Sequence, residues 1–365
     1  MDGSVVAALE GMLPEGDPLE VAKAAEAVIG WCQARQLLAF QQLFEQAEVG
    51  ADPDGVVVDP TSPEVACAMV WSPGAASAMV DVAVDVVTDL PEVLAALSAG
   101  LVDLGKVREI SQGTCELGPG DRQDVAARAV VYARTHTRRQ VRLWLVREVD
   151  RIDPEAGERR RRSARKARGV WLVPECDGMA TLSALLSAEE ATACMESIRA
   201  ASGSGAAGQA DVLVAMVTGT TPAQPVPVTV IMTGEGAQIV GYGPIADGHA
   251  GQLLARLTSP SALIRLDRPG LRVGYAPSAA IRRYVQARDR HCRFPGCGRP
   301  ARACDLDHLV PWPAGGTHVD NVICLCRTHH RMKTHTRWRV RALAGMTLEW
   351  TSPTGRKYLT VLDDP

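Results

Sequence analysis

Aromatic side chains are scarce in this chain of 365 residues: they make up 4% of it, against 46% for all hydrophobic residues. Any sizeable core must therefore be built from small aliphatic side chains, mainly alanine, valine and leucine. That composition favours a mostly helical protein. The length is enough for about two domains and a small appendage.

Two other features are missing from the sequence. No apolar run approaches the roughly 20 residues of a membrane span, and the first 17 residues are acidic where a secretory signal would be basic. The cysteines outside the C-terminal part are scattered singly and form no disulfide framework, which is typical of a reducing compartment. We therefore expect a cytoplasmic protein with no membrane partner. These cysteines are Cys32, Cys67, Cys115, Cys176 and Cys194.

The net charge of −3 hides a strong asymmetry along the chain. Residues 1–130 carry 21 acidic and 6 basic side chains, net −15, whereas residues 281–341 carry 13 basic and 4 acidic side chains, net +9. A nucleic-acid backbone would be repelled by the first part and attracted by the second. A charge run alone is usually only a solvated face, so this one supports a phosphodiester substrate only in combination with a metal site.

The hydrophobic pattern predicts a mostly α N-terminal domain over residues 1–200. Residues 19–47 and 75–90 repeat apolar side chains at helical spacing. Residues 202–208 are rich in glycine and serine, as in a flexible linker. Beyond this linker we expect a small α+β region over residues 201–276. Its elements are a strand over 225–233, a helix over 247–257 and a hairpin over 262–275 centred on a Pro-Gly pair.

Metal-ligating residue types concentrate near the C-terminus. Residues 291–335 contain six of the eight histidines and five of the ten cysteines. Four of them form two short-range pairs, C-x4-C and then C-x2-H, a spacing that suits a closed tetrahedral zinc site. We predict that they bind a structural zinc ion that joins the two ends of the segment. The four are Cys292, Cys297, Cys326 and His329.

The other residues of this segment follow a recognisable order. Asp307-His308 precedes a loop rich in proline and glycine, Asn321 follows the loop, and His330 and a trailing lysine come last. This order resembles the HNH nuclease family, whose pattern is a cysteine pair, Asp-His, Gly-Gly, Asn, and a second cysteine pair followed by His and Lys. The chain departs from that pattern in its wider first cysteine pair and in His329, which stands where a second cysteine is common.

The resemblance implies a C-terminal zinc-stapled ββα-metal (HNH) domain over residues 277–342, followed by a tail over residues 343–365. Local patterns agree with this order of elements. Strands are indicated for residues 303–310 and 322–325, a loop for 311–320 and helices for 278–290 and 327–334.

The resemblance also implies a role for each motif residue. His308 would act as the general base, because a neutral imidazole can take a proton from water at physiological pH. Asp307 and His330 would hold one divalent cation, which we expect to be Mg²⁺, although Mn²⁺ or Ni²⁺ would suit the same ligands. Asn321 would orient His308 or the loop that carries it.

Five neighbouring residues receive weaker assignments. Arg331 and Lys333, beside the metal-binding histidine, are candidates for contacts with DNA phosphates. His335 joins the metal only if the helix has ended before it, because a continuing helix rotates it about 140° from the metal-binding histidine. Cys304 and Cys324 lie on predicted strands and are expected to be small buried groups rather than ligands. Either of them is a substitute ligand for the zinc set.

The N-terminal part carries motifs of its own. LAALSAGLVDLGKVR at 94–108, ARTHTRRQV at 133–141 and DGMA at 177–180 resemble the actinobacterial domain of unknown function that precedes an HNH module in the mycobacterial 13E12 repeat family. These are helix-packing patterns, so they imply a shared architecture and no chemistry. Residues 159–168 hold seven basic residues in ten. They form either an arm that contacts phosphates or a solvated helix that pairs with acidic residues.

The sequence thus favours a metal-dependent DNA endonuclease of HNH type that hydrolyses phosphodiester bonds. Two alternatives of other classes stay open. The first is a zinc-containing nucleic-acid-binding protein that is catalytically silent, which a plasmid-nicking assay would distinguish. The second is a mobile-element accessory protein that acts through its helical domain with an unknown protein partner.

Overall fold

The computed structural model describes residues 11, 14, 16–175, 178–202, 205–219, 230–233, 236–239, 242–254, 263–265 and 268–362. The chain divides into two units, one of residues 1–50 and 59–163 and the other of residues 51–58 and 164–365. The short segment 51–58 therefore belongs to the C-terminal unit although it lies early in the sequence. The predicted strand over 225–233 and hairpin over 262–275 fall partly outside the described residues.

The N-terminal unit is mostly helical, as predicted. Its elements are α1 (Pro18–Gln46), α2 (Thr61–Met69), α3 (Pro73–Asp89), α4 (Pro91–Ser98), α5 (Leu104–Thr114), α6 (Pro119–Ala133), α7 (Arg138–Ile152) and the start of α8 (Ala156–Lys166). A short hairpin, β1 (Gly50–Ala51) and β2 (Val57–Val58), interrupts the helices after α1.

Local side-chain caps explain where several of these helices begin. The Asp17, Ser72 and Asp103 side chains accept hydrogen bonds from backbone amides in the first turns of α1, α3 and α5. Thr137 and Gln140 form a reciprocal capping box at the start of α7. Each cap satisfies an amide that would otherwise lack a partner.

The core of this unit consists of small aliphatic side chains, with Phe40 as its one buried aromatic residue among those described. Two of the buried carboxylates, Glu109 and Glu148, are neutralised by arginines. Glu109 accepts hydrogen bonds from Arg138 and Arg142, and these hold the pKa of Glu109 below its usual range. The ARTHTRRQV motif therefore supplies a helix cap and a partner for a buried acid, which are architectural roles.

The C-terminal unit contains several small sheets and short helices. β3 (Gly169–Pro174) pairs with β4 (Ala180–Leu185) in an antiparallel hairpin. α9 (Ala188–Ala201) and α10 (Ala206–Thr218) follow. A four-stranded sheet has the order β7-β6-β5-β8, with α11 (Asp247–Leu254) between its last two strands in the sequence. Its strands are β5 (Val230–Thr233), β6 (Gly236–Ile239), β7 (Gly243–Ile245) and β8 (Leu263–Arg265).

The prediction of a hairpin over 262–275 is wrong, because the two arms pair with other segments and not with each other. β8 pairs in parallel with β5, and Arg272 forms an isolated antiparallel bridge with Thr317. The Pro-Gly signal at 269–270 was local, whereas strand pairing was decided by segments far away in the sequence.

The last third of the unit is built around two antiparallel strands followed by a helix. α12 (Ala279–Asp289), capped by Ser278, leads into it. β9 (Asp305–His308) pairs with β10 (Val322–Leu325), and α13 (Arg327–His335) follows at once. β9 is shorter than predicted, because Ala301–Ala303 form a 3₁₀ turn before it.

The segment predicted as a C-terminal tail contributes two strands to a sheet. β11 (Arg339–Ala342), β12 (Leu348–Thr351) and β13 (Lys357–Thr360) form an antiparallel sheet in that order. Trp338 and Trp350 are fully buried and pack edge-to-face against Phe294. Three aromatic residues thus pack together inside this part of the unit.

No single helix in the described part of the chain combines the length and apolarity needed to cross a membrane. α2 and α3 meet that test of length and composition only when taken together across a bend of 118°.

Gly100 provides a test of the helix packing. Its φ is +67°, and a Cβ at this position would lie 2.4 Å from the Cβ of Ala27. Gly100→Ala should lower the free energy of unfolding by more than about 2 kcal/mol, because backbone strain and overlap add together. Gly55→Ala is the matched control, since Gly55 has a φ of +77° and open space around it.

Denaturant unfolding of both variants measures the difference. If Gly100→Ala costs no more than Gly55→Ala, the close approach between α1 and the turn after α4 is incorrect.

Candidate functional site

Four side chains converge in the C-terminal unit as predicted from their spacing. Each ligand atom of Cys292, Cys297, Cys326 and His329 lies within 4.8 Å of the other three, and all four residues are buried. Cys326 caps α13, which places His329 in the first turn of that helix. This group could hold a metal ion.

The distances suit a tetrahedral ion. Nδ1 of His329 lies 3.4 Å from Sγ of Cys292 and 3.3 Å from Sγ of Cys326. Ligands about 2.0–2.3 Å from a tetrahedral metal are separated by about 3.5–3.8 Å. A modest outward shift of these atoms would therefore accommodate an ion. Phe294 stacks on the His329 ring at a centroid distance of 4.0 Å and fixes its orientation.

The pKa values of two thiols in this group shift in opposite directions. Burial raises the pKa of Cys292, whereas hydrogen bonds from Cys292 and Cys297 lower the pKa of Cys326. Cys326 is therefore the thiol that loses its proton most readily. Metal binding would require the others to follow, because only thiolates are metal ligands.

A second group forms where β9, β10 and α13 meet. Nε2 of His330 lies 3.6 Å from Oδ1 of Asp307. Lys333 donates to Oδ2 of Asp307 at 2.7 Å and to the backbone oxygen of His308 at 2.8 Å. The structure thus brings together three of the residues named from the HNH resemblance, and the β9–β10 register places His308 opposite Val322.

The hydrogen bonds of His308 determine its tautomer. The Thr317 hydroxyl lies 2.7 Å from the carbonyl oxygen of Gly274 and 2.9 Å from Nε2 of His308. A carbonyl can only accept, so the single hydroxyl proton is directed to Gly274 and the hydroxyl accepts from Nε2–H of His308. Nδ1 is then the unprotonated nitrogen, and no described residue forms a hydrogen bond to it. Burial also lowers the pKa of His308, which favours the neutral ring.

Asn321 holds the loop that follows His308. Its Oδ1 accepts from the amide of Val310 at 2.8 Å, and its Nδ2 donates to the carbonyls of Val310 and Gly316 at 3.0 and 2.9 Å. A Cβ on Gly315 would lie 2.3 Å from the Val310 oxygen, so only glycine fits there. These contacts agree with the loop-orienting role that the resemblance implies for Asn321.

Asp305 completes the second group and was missed in the sequence. Its Oδ2 lies 2.9 Å from Nδ1 of His330 and 3.3 Å from Arg327. Burial raises the pKa of Asp305, but the contacts with His330 and Arg327 outweigh it and the pKa is lowered. The signal was available, because Asp305 and Asp307 alternate along β9 and so share one face of the strand.

Two residues of α13 face a different partner. Nε of Arg331 lies 3.1 Å from Oδ2 of the buried Asp52 in the segment 51–58. A hydrogen bond from the Val56 amide, assisted by the charges of Arg331 and His335, lowers the pKa of Asp52. The helix runs through His335, so the condition for His335 to join the metal is not met. Arg331 is anchored in an ion pair, and its phosphate contact stays a prediction.

Cys304 and Cys324 are buried outside the ligand group, as predicted. The Cys304 thiol lies 3.4 Å from the carbonyl of Pro300. The amide of Cys324 donates to the fully buried Asp289 at 2.7 Å. Asp289 also binds Arg288 and Arg293, and this network joins α12 to β10.

The arginine-rich run pairs with acidic side chains where the structure describes it. Arg159 contacts Asp153 and Glu116, and Arg168 contacts Glu190. The side chains of Arg160 and Arg161 lie outside the described part, as does Cys176. These pairs favour the structural interpretation of the run over a phosphate-binding arm.

Comparison with known proteins identifies the N-terminal part. Residues 19–196 match the family model described as "Domain of unknown function (DUF222)", which confirms the resemblance predicted there. The resemblance of the C-terminal part to HNH nucleases stays a prediction. No solved structure matches the chain.

Curated relatives that resemble the chain are mycobacterial. It is 48% identical over 113 residues to the uncharacterized protein Rv3776 of Mycobacterium tuberculosis, covering 30% of this chain and 22% of that protein. It is 51% identical over 87 residues to the uncharacterized protein Rv2100 of the same species, covering 24% and 16%. The aligned part is thus about a fifth of each relative's length.

The buried ligand group leads to a prediction about metal content. Cys292→Ser should remove the bound metal and lower the melting temperature by at least about 5 °C, because a structural ion contributes its binding free energy to folding. Elemental analysis and thermal unfolding of the purified chain measure both effects. Cys324→Ser is the matched control, since this cysteine is buried outside the group. Metal content unaffected by Cys292→Ser would exclude the site.

Proposed function

We propose that this protein is a metal-dependent endonuclease of HNH type that hydrolyses phosphodiester bonds in DNA. The observation that carries the proposal is the neutral His308 with its unprotonated Nδ1. It is next in sequence to Asp307 of β9, which faces His330 of α13. The order and pairing of β9, β10 and α13 support a ββα-metal arrangement.

His308 serves as the general base in this proposal. The Thr317 hydroxyl fixes the ring through Nε2, which leaves Nδ1 to accept a proton from the attacking water. A base of this kind must be neutral at the working pH, and burial of His308 favours that state.

Asp307 and His330 are the residues that would hold the divalent cation. Their facing atoms are 3.6 Å apart, close to the roughly 3 Å between adjacent ligands of an octahedral Mg²⁺. His330 also directs its other nitrogen to the Asp305 carboxylate, as metal-binding histidines generally do. When bound, the cation neutralises charge that develops on the phosphate and the leaving oxygen.

The buried ligand group is proposed to hold structural Zn²⁺. Three sulfurs and one imidazole nitrogen form a donor set typical of such sites. The described cysteines are free of disulfides, and a cytoplasmic location would keep the thiols reduced. The ion would join the turn after α12 to the first turn of α13 and so hold His330 in place.

The excess of positive charge between residues 281 and 341 supports DNA as the substrate. Each phosphate that the protein contacts releases counterions, so affinity for DNA should fall with rising salt.

A catalytically silent nucleic-acid-binding protein is the second candidate. The Lys333 ammonium already pairs with Asp307 at 2.7 Å, which gives the carboxylate a cationic partner without a divalent ion. The zinc group and the basic surface would serve binding alone in that case.

Replacement of the base separates these functions. His308→Ala should reduce metal-dependent cutting of plasmid and single-stranded DNA by about 10²- to 10⁴-fold, with zinc content and DNA affinity little changed. His318→Ala is the matched control, because His318 lies on the following loop beside Asp320. Wild-type protein that cuts no DNA with Mg²⁺, Mn²⁺ or Ni²⁺ would favour the silent binding protein.

A second prediction concerns Asp305. Asp305→Asn should raise the divalent-cation concentration needed for half-maximal cutting by about 10- to 100-fold, because partners that orient a ligand have effects of this size. Saturating cation should restore much of the rate. Asp320→Asn is the control, since this exposed carboxylate pairs with Arg268. A rate loss at Asp305→Asn that does not depend on cation concentration would contradict the assignment.

A further inference from the structure

Tyr275 lies directly against the proposed base. Its ring stacks on His308 with a centroid distance of 5.4 Å and an angle of 26° between the ring planes. Tyr275 is nevertheless 65% exposed, so one face of its ring contacts His308 and the other is open to solvent. A half-stacked aromatic ring at a reaction centre can accept a second flat group on its free face.

The backbone around Tyr275 is held firmly. The Thr317 hydroxyl that fixes His308 also contacts the carbonyls of Gly274 and Tyr275, at 2.7 and 3.2 Å. The amide of Arg272 donates to the Thr317 carbonyl at 3.1 Å. Tyr275 and His308 thus share one anchoring residue, and the ring is presented at a defined place relative to the base.

A second exposed aromatic residue follows His308 on its loop. Trp312 is 40% exposed, and it lies in a turn closed by a hydrogen bond from Gly315 to Pro311 at 2.9 Å. One exposed ring thus lies against His308 and another follows it by four residues in the sequence, and residues 281–341, which include the second ring, carry a net charge of +9. Exposed aromatic rings combined with positive charge are the features by which proteins bind unpaired nucleic-acid strands.

We propose that Tyr275, together with Trp312, forms a stacking platform for unpaired bases, and that the substrate is single-stranded DNA or an unpaired segment of a duplex. This inference rests on the proposed nuclease function and specifies its substrate class. The base of a nucleotide beside the attacked phosphate would lie on the open face of Tyr275. Phosphates would be attracted by the excess of basic side chains in residues 281–341.

Duplex DNA would not use this platform. Base faces in a duplex are covered by their neighbours, so a ring can stack only on bases that are unpaired or displaced. A protein partner would fit less well, because exposed rings in a C-terminal part with an excess of positive charge favour a ligand that combines negative charge with flat apolar faces. An unpaired strand supplies both.

Binding without added divalent cation tests the proposal independently of cutting. The full-length chain should bind a labelled thymidine strand of about 15 nucleotides more tightly than a duplex of equal length. Tyr275→Ala should weaken strand binding by about 5- to 150-fold, the range observed for loss of one base–aromatic stack. Tyr275→Phe should retain wild-type affinity, because it keeps the ring.

Two controls separate stacking from a purely structural role. Tyr275→Leu preserves an apolar side chain against His308 but cannot stack on a base, so it should weaken strand binding as Tyr275→Ala does. Val273→Ala, at a non-aromatic residue of the same segment that is 93% exposed, should change nothing. Zinc content and thermal unfolding show whether each variant is folded.

An abasic strand gives the sharpest comparison, since it keeps the phosphates and lacks the bases. The wild-type protein should bind it at least as weakly as Tyr275→Ala binds the thymidine strand, and the preference for the thymidine strand should be smaller in Tyr275→Ala than in the wild type. Removing the bases and replacing Tyr275 by alanine should not weaken binding additively, because both changes remove the same contact. Additive losses of affinity would overturn the platform. Equal wild-type affinity for strand and duplex would overturn it as well.

The outcomes also distinguish this inference from the function on which it rests. If strand binding depends on Tyr275 but the protein cuts no DNA, the platform proposal stands and the nuclease proposal fails. DNA cutting by a wild-type protein whose strand binding is unchanged by Tyr275→Leu retains the nuclease and removes the platform.

Discussion

The C-terminal unit depends on one convergence of buried ligands. Three thiols and one imidazole meet at the first turn of α13, and all four residues are buried. Adjacent residues on a helix point about 100° apart. His329 can therefore face the buried group while His330 faces Asp307 on β9. One helical turn serves both groups, so the position of the second depends on the integrity of the first.

The second group is a continuous chain of charged contacts. Asp305 binds His330, His330 faces Asp307, and Asp307 binds Lys333. Every member lies on β9 or α13, which are held together through β10. Rigid elements position such side chains more accurately than free loops do. Lys333 gives Asp307 a positive partner in the absence of a divalent ion, which limits the cost of placing two carboxylates on one face of a strand.

The N-terminal unit has a different character. Its motifs serve helix caps, close helix packing and the neutralisation of buried Glu109 and Glu148 by arginines. Such features are those of a stable helical scaffold. The segment 51–58 lies between two helices of this unit in the sequence but belongs to the C-terminal unit. There Asp52 contacts Arg331 of α13. The folding of the C-terminal unit therefore uses residues that a C-terminal fragment would lack.

The sequence by itself determined the features that have a short period or spacing. Cysteine and histidine spacing identified the ligand group, apolar periodicity identified α1 and α3, and the local sequence pattern identified α12 and β10. Tertiary structure alone decided which distant groups meet: Asp305 with His330, Asp52 with Arg331, and Tyr275 with His308. Residues 262–275, predicted as a hairpin, instead pair with β5 and with Thr317. Residues 343–365, predicted as a tail, contain β12 and β13. The physical reason is that helical and strand periodicity is encoded locally, whereas partners are selected by burial and strand register over the whole unit.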